Sequence, residues 1–80
     1  MAATISVRSE LAHRAGNGID VSLFWTKPGN RVTVEVFDEQ FDEGFAFEVD
    51  GADALDAFNH PYAYAAARGI SAVAAEALVA

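Results

Sequence analysis

Apolar and polar residues alternate along the chain up to Asp50, where the alternation stops and an Ala-rich texture takes over. Ile19, Val21, Leu23 and Trp25 alternate with Asp20, Ser22, Phe24 and Thr26. Val32, Val34 and Val36 alternate with Thr33, Glu35 and Phe37, and Phe45, Phe47 and Val49 with Ala46, Glu48 and Asp50. A period of two places every second side chain on one face of a pleated strand, so these blocks predict three half-buried β-strands. From Thr4 to Arg14 the alternation is weaker, with Ile5, Val7, Ser9, Leu11 and His13 on one parity, and predicts an edge strand. Residues 9–15 are also good helix formers ending at Gly16, a C-cap residue, so a helix there is the competing reading.

The turns predict the register. Read as a three-residue loop, Gly16-Asn17-Gly18 has Gly18 in the left-handed position and pairs Leu11 with Leu23. Lys27-Pro28-Gly29-Asn30 has Pro and Gly at the central positions, as a type II turn requires. It pairs Trp25 with Val32, Leu23 with Val34 and Val21 with Val36. The longer connection from Asp38 to Glu43 keeps this parity with Val36 opposite Phe45, and carries Phe41, tucked under the sheet or exposed. The expected fold class is α+β: a four-stranded antiparallel meander with one or two C-terminal helices packed on one face.

Helix signals occupy the rest of the chain. Asp53 is placed to cap a helix, Asp56 lies in its first turn, and Leu55 and Phe58 form an apolar stripe. Pro61 forces His60 out of the helical region and suits the first position of a second helix, which Gly69 closes. The segment 70–80, with only Ser71 and Glu76 clearly polar, predicts a helix that docks on the domain or binds a partner. The 80 residues read as one small domain with frayed residues 1–3.

Charge changes the picture. The formal net charge is −7, divided between +2 in residues 1–31 and −9 in residues 32–80. An acidic chain is repelled by phosphate backbones, which argues against nucleic acid and for a protein partner with a basic surface. A chain this short has a thin core, and without cysteine it has no disulfide staple, so a homodimer is expected. Unlike-charged halves and edge strands favour that dimer. The amino terminus lacks the basic and apolar regions of a secretory signal, and 70–80 is too short to cross a bilayer, so a cytoplasmic location is expected and no membrane partner.

Candidate chemistry is sparse. Asp56 and His60, four apart, are half of an acid–base pair, but no nucleophile or oxyanion-binding motif accompanies them, so no catalytic residue is assigned. His13 with Asp20 or His60 lacks a recognised metal-ligand spacing. Asp38, Glu39, Asp42 and Glu43 lack the ligand pattern and glycine of a calcium loop. No metal and no cofactor are expected. Phe24 and Phe37 fall on the parity opposite to the core, and with Tyr62 and Tyr64 they are the candidate partner-binding residues.

The blocks Gly18-Ile-Asp-Val-Ser-Leu-Phe-Trp25 and Ala54-Leu-Asp-Ala-Phe-Asn-His-Pro-Tyr-Ala-Tyr-Ala66 resemble those of a group of short proteins from high-GC Gram-positive bacteria. The group shows a Leu-x-x-Phe-x-His-Pro-aromatic-Ala-Tyr-Ala block, and the resemblance spans roughly residues 4–69. It implies a cytoplasmic bacterial origin and one intact domain, but no activity. The expected function is a non-enzymatic protein-interaction or regulatory module. The alternatives are an acidic decoy for a basic nucleic-acid-binding surface, or a minor hydrolase using Asp56 and His60.

Overall fold

A computed structural model describes residues 7–27 and 29–74. Strands β1 (Val7–Gly16), β2 (Ile19–Lys27), β3 (Arg31–Asp38) and β4 (Glu43–Val49) form an antiparallel meander. A 3-10 turn (Gly51–Asp53), α1 (Ala54–Asn59), α2 (Pro61–Ala67) and a two-residue strand β5 (Val73–Ala74) follow. The fold is α+β, and residues 9–15 are strand. The sheet has five strands rather than four, because β5 pairs with the start of β4, Ala74 against Glu43 and Val73 against Gly44.

The central register follows from the alternation. Trp25 pairs with Val32, Leu23 with Val34, Val21 with Val36 and Val36 with Phe45, so all of these side chains share one face. Val21, Val34 and Val36 are fully buried there, beneath Ala57, Phe58 and Ala65 of the helices. Gly29 takes φ 97°, a backbone conformation open to glycine, and Pro28 before it lies outside the described residues.

The first hairpin differs from the sequence expectation. Gly16 pairs with Ile19, leaving a two-residue turn in which Asn17 (φ 55°) and Gly18 (φ 78°) are both left-handed. Asn-Gly is the preferred type I′ pair because its twist matches the flanking strands. The parity lost at the turn is recovered by a β-bulge: Glu10 pairs with Phe24 and Ala12 with Leu23. Leu11, expected in the core opposite Leu23, is the extra residue and is 53% exposed. Ala12 packs against the core in its place. The bulge also keeps Ser9 on the helix-covered face and turns Arg8 and Glu10 to the open face.

The helices bring three corrections. Asp53 stands at the N-cap of α1, but its side chain makes no capping hydrogen bond. Its φ −100°, ψ 1° belongs to the preceding 3-10 turn, whereas a capping residue is extended. Leu55 is 69% exposed; the buried face is Ala54, Ala57 and Phe58, about 100° round the helix from Leu55. Finally, 70–80 does not continue as helix: Val73–Ala74 is strand, and 75–80 lies outside the described residues. The reason is the end of α2. Gly69 (φ 68°) lets Ile70 N–H donate to the Ala65 carbonyl (2.9 Å) and its own N–H to that of Ala66 (3.2 Å), a Schellman closure that turns the chain back toward the sheet. His60 occupies the corner between helices at φ −132°, ψ 53°, with Pro61 at the first position of α2, as expected.

Candidate functional site

Both helices lie on one face of the sheet, so the other face is open. Its cross-strand rows are Glu10–Phe24–Thr33–Glu48, His13–Ser22–Glu35–Ala46 and Ala15–Asp20–Phe37–Gly44. Much of this face is self-paired. The Arg8 guanidinium lies 3.7 Å from the centre of the Phe24 ring and reaches over it to Glu35 at 2.6 Å. Arg31 faces Glu48 at 3.6 Å, and His13 Nε2 lies 3.1 Å from Asp20 Oδ1. Phe24 is therefore roofed by an ion pair and offers little ring surface.

Tyr62 and Tyr64 lie on α2, across the sheet from Phe24 and Phe37. Tyr64 stacks parallel on Phe47 (centroids 6.1 Å apart) and donates its hydroxyl hydrogen bond to Asp56 Oδ2 at 2.7 Å. That bond to the carboxylate, with burial and nearby Asp56 and Asp53 charge, pushes the phenol up to about 12. Asp56 is thus engaged by Tyr64, while His60 is joined to it only through the backbone, His60 N–H to Asp56 C=O at 2.9 Å. Tyr62 meets Phe45 edge to face at 5.3 Å and is half exposed. Its phenol is pushed up first by burial and then by the charges of Asp38 and Glu43.

Those two carboxylates point to the end of the molecule where the apolar surface collects. The β3–β4 loop is folded by Asp38 Oδ1, which accepts the backbone N–H groups of Gln40 (2.9 Å) and Phe41 (3.4 Å). It is tied to the first hairpin by Glu39 N–H donating to the Gly18 carbonyl at 2.8 Å. At its tip Phe41 is 70% exposed. Tyr62 lies on the helix side of this end. On the open side Phe37 and Val73 flank Gly44 from the two neighbouring strands, and Val73 is also exposed. Phe41, Tyr62 and Val73 are three of the five large exposed hydrophobics among the described residues. They are set among Asp38, Glu39, Asp42 and Glu43, none of which forms an ion pair among the described residues.

Of the four residues singled out in the sequence, Phe37 and Tyr62 lie at this end, on opposite sides of the sheet, while Phe24 and Tyr64 are engaged elsewhere. Phe41 and Val73 join the site. Phe41 was legible as an apolar residue in an acidic loop, and Val73 as an apolar side chain left over for an interface, in a segment whose composition reads as helix rather than strand. Among the described residues no group of three or more His, Asp or Glu is arranged to hold a metal, and no helix is long and apolar enough to cross a membrane.

A scan against protein-family models found no match, and searches of curated proteins and of solved structures found none.

Proposed function

We propose that the protein is a small, non-enzymatic protein-interaction module that engages a basic partner surface through the loop end of its sheet. One observation carries this reading: Phe41, Tyr62 and Val73 stand exposed around four carboxylates without an ion pair among the described residues. Exposed aromatics supply contact area to an interface, and unpaired charge steers an oppositely charged partner. The acidic decoy shares the carboxylates but gives no role to Phe41. The hydrolase reading loses support because the Asp56 carboxylate holds the Tyr64 hydroxyl. The resemblance to short proteins of high-GC Gram-positive bacteria supports a bacterial cytoplasmic setting.

The test is affinity capture from the source organism with the wild type, a Phe41→Ser/Val73→Ser variant and an Asp42→Lys/Glu43→Lys variant, all shown to be folded. A specific partner retained by the wild type and lost by both variants is the expected result. Retention by all three would sink the proposal. Loss confined to the charge variant, with elution by modest salt, would favour the decoy.

A further inference from the structure

Beside this end, a second feature carries an inference that does not depend on the partner surface. A cleft of about 400 Å³ opens between the tip of the first hairpin and the corner joining α1 to α2. Ligand pockets run from ~300 to ~1,000 Å³, so the cleft is of a size for a small molecule or a short chain end. Its apolar wall is Ile19, Val21 and Pro61, and Arg14, Asn59 and Tyr62 bring polar groups to it.

Arg14 is the informative residue. It sits on the helix-facing row of β1, opposite Val21, where the neighbouring strands place valine and leucine. Its Nη2 donates to the Phe58 carbonyl at 3.0 Å, and the guanidinium lies 5.4 Å from the centre of the Phe58 ring. The head group is thereby held in place at the end of α1. Unlike Arg8 and Arg31, it has no carboxylate partner among the described residues, although the chain carries twelve acids. A guanidinium has five N–H donors in a planar fork, and the Phe58 carbonyl occupies one. The donors left over suit a carboxylate, which an arginine fork binds through two parallel hydrogen bonds.

We propose that this cleft binds a monocarboxylate with an apolar body, its carboxylate on Arg14 and its body against Ile19 and Pro61. The negative loop beyond Tyr62 sets the charge limit. Asp38 and Glu43 act on the Tyr62 phenol, so a second negative group on the ligand would meet repulsion there. A free small acid and the C-terminal carboxylate of a peptide present the same chemistry to Arg14.

The proposal is tested by two-dimensional NMR titration of the ¹⁵N-labelled full chain with hexanoate, hexanamide, succinate and a short apolar peptide with a free or an amidated C-terminus. Saturable shifts with hexanoate at the Arg14 Nε–H and the Asn59 amide are expected, with hexanamide and succinate weaker. Arg14→Gln should weaken hexanoate about tenfold or more, as loss of a charge-assisted pair does. Should Arg14→Gln not fold, Tyr62→Phe and Asn59→Ala test the cleft from exposed positions, each weakening hexanoate several-fold. The free-ended peptide binding more tightly than hexanoate would identify a chain end as the ligand, and the reverse a free acid. Equal binding of acid and amide, unchanged binding in the variants, or no saturable shift with any acid would overturn the proposal.

Discussion

At the residue scale, Tyr64 gives the sharpest expectation. Folding raises its pKa from about 10 to about 12, chiefly through the hydrogen bond to Asp56. The stabilisation is therefore complete below pH 10 and is lost as pH rises through 12, so the fold should weaken in that alkaline window. Ultraviolet titration of the phenols should show one group ionising late, and Asp56→Asn should bring it back toward the ordinary tyrosine range. A late group unmoved by Asp56→Asn would contradict the assignment. Asp53 and Gly18 make a contrasting pair. Asp53 makes no cap bond, so Asp53→Ala should change stability by no more than about 0.5 kcal/mol, against the ~1 kcal/mol loss of a true cap. Gly18 sits at φ 78°, and a Cβ there would stand 3.3 Å from Gln40 Cγ. Gly18→Ala should therefore cost on the order of 1 kcal/mol or more. Urea denaturation of both variants decides the comparison.

At the element scale, the bulge in β1 invites deletion rather than substitution. Glu10 and Ala12 already pair with the adjacent residues Phe24 and Leu23, so removing Leu11 leaves a regular ladder with the same faces on both sides. The deletion variant should fold with Arg8 still over Phe24, while its straightened edge becomes a better template for another strand. Circular dichroism should show native structure and light scattering more association; an unfolded variant would show that Leu11 does more than offset the register. The same element marks the limit of what the sequence displays. From β2 to β4 the alternation is unbroken and Pro28-Gly29 pins the turn, so pairing and faces could be read directly. In Gly16-Asn17-Gly18 a two-residue and a three-residue loop are both open to the chain, and they differ by one residue. What separates them is tertiary: the bulged ladder sets Ala12 against the core and Arg14 beside Phe58, where the unbulged ladder would set Leu11 and His13. Leu55 was misplaced for a related reason, since the 3-10 turn sets the phase of α1 and carries no periodic signature. Of the site, the acid loop and Phe41 were visible in the sequence. The cleft was not, because Arg14 on its own is only a charge until Phe58 is seen beside it.

At the scale of the whole molecule, both sheet edges are guarded. β1 has its bulge and the charges of Arg8, Glu10 and Arg14; β4 is paired by β5 at one end, and Arg68 donates to its Glu48 carbonyl near the other. A two-fold dimer through strand edges would have to strip these guards, so the expected homodimer is better formed through the exposed Phe41, Tyr62 and Val73. The carboxylates around them repel their copies, and salt screens that repulsion, with a Debye length of about 3 Å at 1 M. Light scattering should therefore give a mass near 8.5 kDa at low salt and rising toward twice that in high salt. A mass of 8.5 kDa under both conditions would rule the dimer out.

The meander also says how the chain reaches this state. Each strand pairs with its neighbour in sequence, so most of the sheet closes through short loops, and local topologies fold quickly. The hydrogen bond from Arg14 to Phe58 spans 44 positions and ties the first hairpin to the helices. A contact of such long separation is expected to form late, after the rest is assembled. Arg14→Gln should accordingly leave the refolding rate in stopped-flow experiments nearly unchanged and speed unfolding. Arg14, the residue proposed to receive an acid, would then also govern how long the folded molecule lasts, and an acid bound to it would slow its unfolding.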